Sequence, residues 1–258
     1  MTTENLGENG FRWFVGVVED RDDPLKQGRV RVRAYNVHGN KVQTPVAAIP
    51  WATVLMSCES ASLKQVGRSA TGLQLGSTVF GFFMDGNETM MPVIFGVMPG
   101  KDDISKLAAG QMSLNKQLVG PEPKSAFNAK YPYNKVFQSE AGHVVEIDDT
   151  PNFERLHTYH KSGTYSEVDN KGQRVNKIVG DDFEVVVKNK TVYINGNMTV
   201  EVKGDYNLNV SGNITINGKT INMNKGSKGA ARIGDIVPDS EVDGSQGIGE
   251  GSATVFIG

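Results

Sequence analysis

The sequence predicts an all-β protein: a small closed barrel, then a linker, then a stack of short strands wound together from three chains. Three observations carry that expectation. Glycine supplies 30 of 258 residues, which argues against a mostly helical chain yet lies far below the one-third usage of collagen. Short β-type runs separated by turn residues fill residues 11–100, and an eight-residue repeat starts at Val179.

The barrel is predicted from five runs, 13–18, 29–35, 47–55, 78–84 and 92–97. In the second, Val30, Val32 and Ala34 alternate with Arg29, Arg31 and Arg33, the period-two signature of a strand buried on one side. Asp22-Asp23-Pro24 and Asp85-Gly86-Asn87 supply turn chemistry. Five such strands suit a small barrel. Residues 101–139 change texture, with Pro121, Pro123 and Pro132 and no sustained period, and read as a linker or strap. Strands return at 143–147, 155–159, 164–168 and 173–179, which read as a meander.

The repeat then reads VGDDFEVV, VKNKTVYI, NGNMTVEV, KGDYNLNV, SGNITING. Gly180, Gly196, Gly204 and Gly212 hold the second position of four blocks, where a corner favours a residue without Cβ. Val192, Ile194, Met198, Val200, Val202, Tyr206, Leu208, Val210, Ile214 and Ile216 form one apolar stripe, the expected shaft core. A strand this short cannot bury its stripe alone, so blocks must stack. Three chains winding about one axis is the favoured solution, and a solitary solenoid the alternative. Asn189, Asn197 and Asn213 match the glycosylation pattern only because Asn and Thr recur at outward positions of the repeat.

Bulk properties remove several function classes. The formal charge is −2, with 27 Lys plus Arg against 29 Asp plus Glu, too balanced for an electrostatic nucleic-acid binder. Cys58 is the single cysteine, which excludes a disulfide framework and reads as a small buried apolar residue. No run is long enough to span a membrane as a helix, and the N-terminus lacks signal-peptide features, so a soluble, cytoplasmically made chain is expected. Adjacent acidic pairs such as Asp22-Asp23 and Asp148-Asp149 read as solvated turns, because glycosidase carboxylates face each other across a cleft. His157 and His160 with Asp148 suggest a metal site, but strand residues three apart face opposite sides, so no ligand is assigned. Gly247-Ile248-Gly249-Glu250-Gly251 opens no helix after a buried parallel strand, which removes the phosphate-loop reading.

Residues 14–33, FVGVVEDRDDPLKQGRVRVR, resemble the opening barrel of the central spike, or cell-puncturing device, of contractile-tailed bacteriophages. GHVVEIDDTP (142–151) followed by YHKSGTY (159–165) is similar to the start of that family's spike, and the octads to its shaft. The spike of type VI secretion shares the architecture. The resemblance implies an OB-fold barrel, a homotrimer, a trimeric baseplate hub as partner, the host outer membrane as target, and a place in the tail baseplate of a virion assembled in the host cytoplasm. Some family members carry a lysozyme domain between barrel and shaft, where this chain has only the linker, so a non-enzymatic protein is expected.

Ala231, Arg232, Ile233, Gly234 and Asp235, with Val255, Phe256 and Ile257, resemble the two edges of a hairpin in PAAR-type spike tips. Three such hairpins would build one cone by symmetry; a platform for a separate PAAR tip protein is the alternative. The expected divisions are an N-terminal extension (1–10), OB fold (11–100), linker (101–139), triple-stranded β-helix (140–225) and PAAR-like apex (226–258). Arg29, Arg31 and Arg33 are the candidate hub-docking face. No catalytic or cofactor residue is expected, and an axial metal ion in shaft or tip is left open. A type VI or related injection spike, an enzyme with a lost or hidden hydrolase module and an oligonucleotide-binding OB protein are the competing readings.

Overall fold

The computed structural model describes residues 10–100 and 122–221, and the chain divides into two compact units, 1–185 and 186–258. The first unit opens with five strands: β1 (Arg12–Asp20), β2 (Val30–Ala34), β3 (Trp51–Val54), β4 (Thr78–Phe83) and β5 (Pro92–Met98). They close in the order β1-β2-β3-β5-β4, with β4 returning to β1. Neighbours are antiparallel except β3 and β5, which run parallel. This is an OB-like closed barrel.

The period-two alternation read in β2 is observed: Val30, Val32 and Ala34 point into the core with Phe14, Val18, Val79, Phe83 and Ile94. Burying a side chain such as Phe83 contributes about 1.5–3 kcal/mol. Two glycines let this small barrel close. A Cβ at Gly81 would meet the Val93 carbonyl oxygen at 2.2 Å and Phe14 Cζ at 2.8 Å, and one at Gly16 would meet the Arg33 oxygen at 2.6 Å. The Phe14 ring occupies the space that a side chain at Gly81 would need.

The run 47–55 is not one strand. Residues Val46–Ala48 form a short 3-10 turn, and β3 starts only at Trp51. Pro50 lacks the N–H that a ladder requires, so pairing begins after it. Cys58 lies exposed in the connection between β3 and β4 rather than buried.

A five-stranded antiparallel meander follows in the same unit: β6 (Asn134–Gln138), β7 (Val144–Asp148), β8 (Arg155–Tyr159), β9 (Tyr165–Val168) and β10 (Arg174–Lys177). Its first strand occupies part of the expected linker. Residues 134–138 pair along their length with β7, from Asn134 opposite Asp148 to Gln138 opposite Val144; five residues gave too short a run for the period to be read. Three hairpins share one turn, closed by Gly142, Gly163 and Gly172 at positive φ, each donating its N–H to the residue three before it. Left-handed backbone at that position favours glycine.

From 178 to 221 every residue is exposed and none belongs to a strand. The chain bends at 179–180, 187–188, 195–196, 203–204 and 211–212, an eight-residue period in register with the sequence repeat. A Cβ at Gly180, Gly196, Gly204 or Gly212 would meet nothing within 4 Å, and none of the four has a left-handed φ. Within one chain, therefore, these bends do not require glycine, and Lys188 holds the equivalent place in one block.

Candidate functional site

The arginine row does not form a free docking face. Arg29 donates to Asp23 Oδ1 at 2.7 Å, and Asp23 also accepts backbone N–H groups from Leu25, Gln27 and Arg29. The Arg29 guanidinium, with those backbone donors, holds the Asp23 carboxyl far below the usual carboxylate range against the opposing pull of desolvation. Asp23 is thus the buried organiser of its turn, not a solvated loop residue. Arg31 donates to the Val46 and Ile49 carbonyls at 2.8 and 3.0 Å, and its guanidinium lies 4.5 Å from the Trp51 ring centroid. Arg33 grips Glu19 in a two-pronged pair and reaches the Gly39 and Thr44 carbonyls. The hydrogen bond from Arg33 lowers the Glu19 pKa. An aromatic ring does accompany the arginines: the Arg31 and Arg29 guanidinium carbons lie 4.5 and 5.8 Å from the Trp51 ring centroid.

The barrel's outward apolar surface lies elsewhere. Trp13 on β1 stacks on Phe80 of β4 with centroids 5.2 Å apart and planes 5° from parallel, and meets Phe82 edge-on at 5.1 Å. Phe11 extends the cluster to Phe82 at 4.8 Å. On β5, paired with β4, Phe95 is 65% exposed and Val97 and Met98 are also exposed. Neither β4 (TVFGFF) nor β5 (PVIFGVM) contains a charged residue. A barrel wall normally alternates apolar-in and polar-out, so apolar residues at both parities were the available signal for a covered outer face.

The meander reverses the usual arrangement. The Arg155 guanidinium, 1% exposed, donates to Glu146 Oε2 at 2.6 Å and to Glu167 Oε2 at 2.9 Å. His157 Nδ1 lies 3.0 Å from the same Glu146 oxygen, and Asn134 donates to the other. Burial alone would raise the Glu146 pKa, but the His157 hydrogen bond and the Arg155 charge hold it down at about 2. Residues 122–130 seal this face. Ser125 Oγ donates to Glu167 at 2.6 Å, the Ala126 N–H to Glu167 at 3.1 Å, and the Lys130 N–H to Thr150 Oγ1 at 3.0 Å. The Phe127 ring lies 4.9 Å from the Arg155 guanidinium carbon, and Lys177 pairs with Glu122. The cluster is buried and its charged groups are paired with one another, while Arg155 Nε, His157 Nε2 and Asn134 Oδ1 lack a hydrogen-bond partner among the described residues; the pairing fixes the strap against the sheet.

Asp148 is buried, accepting from the Thr150 N–H and hydroxyl, so this acidic pair is not wholly a solvated turn either. His157 is buried while His160 lies on the opposite, exposed face beside His143. His160 Nδ1 accepts the Ser162 N–H at 3.2 Å, which places its neutral proton on Nε2. Among the described residues no group of three or more His, Cys, Asp or Glu is arranged to hold a metal. No helix of the described residues is long and apolar enough to cross a membrane.

The expected shaft-core residues, from Val192 and Ile194 to Ile214 and Ile216, are all exposed, between 46% and 70%. Ala231, Arg232, Ile233, Gly234, Asp235, Val255, Phe256 and Ile257 lie outside the described residues.

Residues 33–115 match the family described as the Gp5 N-terminal OB domain. The chain is 33% identical over 268 residues to Protein Gp5 of Vibrio phage KVP40, an alignment covering 75% of this chain and 63% of that protein. It is 45% identical over 83 residues to the pre-baseplate central spike protein Gp5 of Enterobacteria phage T4, covering 30% of this chain and 14% of that one. The chain thus spans less than two thirds of either relative. The matched region thus resembles the OB domain of Gp5 proteins, one of which is named as a pre-baseplate central spike protein.

Proposed function

We propose that this chain is the structural central spike of a contractile-tail baseplate, a homotrimer that docks to the tail hub through its barrel and is driven through the host outer membrane on contraction. The observation that carries this reading is the eight-residue periodicity of bends through a fully exposed, strand-free apolar stripe. A stripe that long is not stable in water as a single chain, and equivalent strands from two further chains supply both the missing backbone partners and the apolar cover. The two relatives, named as Gp5 and as a baseplate central spike, support the same assignment. The domain divisions, octad corners and PAAR-like apex set out from the sequence belong to this proposal, as does a chain without hydrolase activity.

The barrel's role follows from its outer wall. The uncharged aromatic patch around Trp13, Phe80, Phe82 and Phe95 suits a protein partner, and it replaces the arginine row as the hub-docking face. It offers no unpaired basic groups for a nucleic-acid backbone, which disfavours the oligonucleotide-binding alternative. Co-expression with the baseplate hub protein of the same phage tests the reading. A stable complex with three spike chains is expected, weakened by Trp13→Asp and unaffected by Arg33→Gln. Failure of the wild-type chain to bind the hub, or undiminished binding by Trp13→Asp, would count against it.

A further inference from the structure

The fold gives His160 a different neighbour from the two that sequence spacing suggested. Of the chain's four histidines, His157 is buried against Glu146, and His38 Nδ1 accepts the Ala34 N–H at 3.1 Å. The other two, His143 and His160, meet with ring centroids 4.5 Å apart and planes 40° from parallel. Register brings them together. Val144 is opposite Tyr159, so one step further along the antiparallel pair His143 faces His160 on the same side of the sheet. That side is the open face of the meander, where Phe137, Val145, Ile147 and Leu156 are also exposed. Turns fix both positions: the His143 N–H donates to Ser139 Oγ at 3.1 Å, and the His160 N–H donates to the Thr164 carbonyl at 2.8 Å.

We propose that His143 and His160 together bind a divalent first-row transition-metal ion, at a site built within one chain and independent of its oligomeric state. The ring spacing fits. An imidazole nitrogen about 2.0–2.1 Å from an ion puts the ion roughly 3.2 Å from the ring centre, so rings at two right-angled positions have centres about 4.5 Å apart. Right-angled nitrogen ligands suit Ni²⁺ and Cu²⁺ better than tetrahedral Zn²⁺. Ligation through His160 Nε2 moves that ring's proton to Nδ1, where Ser162 Oγ lies 2.8 Å away to accept it. An acceptor for the second ring N–H is the usual support of a ligating histidine. The move gives up only the 3.2 Å bond from the Ser162 N–H, an exposed donor that water can satisfy. Asp182 shares the groove lining with both rings and adds a negative charge favourable to a cation, while Arg174 sits at the other end of β10. The ion would clip β7 to β8 at the end of the sheet where Tyr159, Tyr165 and Lys177 lie side by side and the octad segment departs.

Calorimetric titration of the tag-free full chain with nickel chloride tests this, in a Cys58→Ser background that removes the exposed thiol as a rival ligand. One Ni²⁺ per chain is expected. His143→Ala and His160→Ala should each weaken binding at least about tenfold, since losing even an outer partner of a metal ligand costs about that much. Ni²⁺ should also raise the melting temperature of the parent and leave that of the double variant unchanged. Neither ring is buried, so the variants should keep the parent's circular dichroism. With Cu²⁺, electron paramagnetic resonance should show two nitrogen ligands in the parent and one in each single variant, a signature that a merely structural ring contact does not produce. Absence of Ni²⁺ binding by the parent, or binding of parental strength in the double variant, would overturn the assignment.

Discussion

The barrel and the octad segment contain similar β-forming residues and reach opposite states. In the barrel, five strands close on themselves, and Phe14, Val18, Val79 and Phe83 are each no more than 4% exposed. In the octads, Met198, Val200, Leu208 and Ile216 have the same apolar character and stand exposed on a chain without strand partners. The difference is one of closure. A five-stranded barrel satisfies its edges within one chain, whereas eight-residue blocks end before they can return to their own edge. On the function proposed above, the second region is the part that other chains complete. The meander is intermediate, with its backbone paired internally and one apolar face left open.

A single core substitution in each region separates the two most clearly. Leu208→Asp sets one carboxylate per chain into the expected shared core, at a penalty on the order of several kcal/mol per copy. Loss of the trimer in sedimentation is expected, with the fluorescence of the barrel's Trp13 and Trp51 unchanged; a trimer that survives this substitution refutes the shaft-core assignment. The matched barrel change, Phe83→Ala, should cost about 3–5 kcal/mol and lower the barrel's unfolding midpoint while the trimer persists. If both substitutions abolish both signals together, the two regions do not fold as separate entities.

Acid sharpens the position of the meander. The Glu146 carboxyl titrates at about 2 in the fold against an ordinary 4.5. A depressed carboxylate contributes its full stability above pH 4.5, and that contribution fades as the pH falls toward 2. Melting temperatures of wild type and Glu146→Gln should accordingly differ most above pH 4.5 and converge below it. A gap that stays constant across that window would mean the buried cluster is not what titrates. The smallest effect is expected at Trp13→Ala, which removes an outer-wall stack contributing about 0.5–1.5 kcal/mol. Barrel stability should fall by no more than that, while hub binding suffers far more. A larger loss of stability would make Trp13 a core residue and not a docking one.

The barrel strands and the octad period were legible because each rests on local alternation: Val30, Val32 and Ala34 against arginines, and a turn every eighth residue. Three features were not legible, for physical reasons. Arg29, Arg31 and Arg33 looked solvated because their partners, Asp23, Glu19 and the carbonyls of residues 46 and 49, come from turns and loops whose paths no periodicity describes. The buried cluster of Glu146, Arg155, His157 and Glu167 spans three strands and acquires its cover from residues 122–130, so only the fold reveals that a polar face is inside. The aromatic wall was present in the sequence as uncharged β4 and β5, read there only as strand formers. The glycine corners were located by the repeat, but the reason for glycine does not lie within a single chain.

The central claim, that this chain is completed by copies of itself, is tested most directly by sedimentation equilibrium of the full-length protein at micromolar concentration. A single species with three times the 27.9 kDa chain mass is expected, with no trend toward smaller species on dilution. A species of one chain mass under those conditions would contradict it.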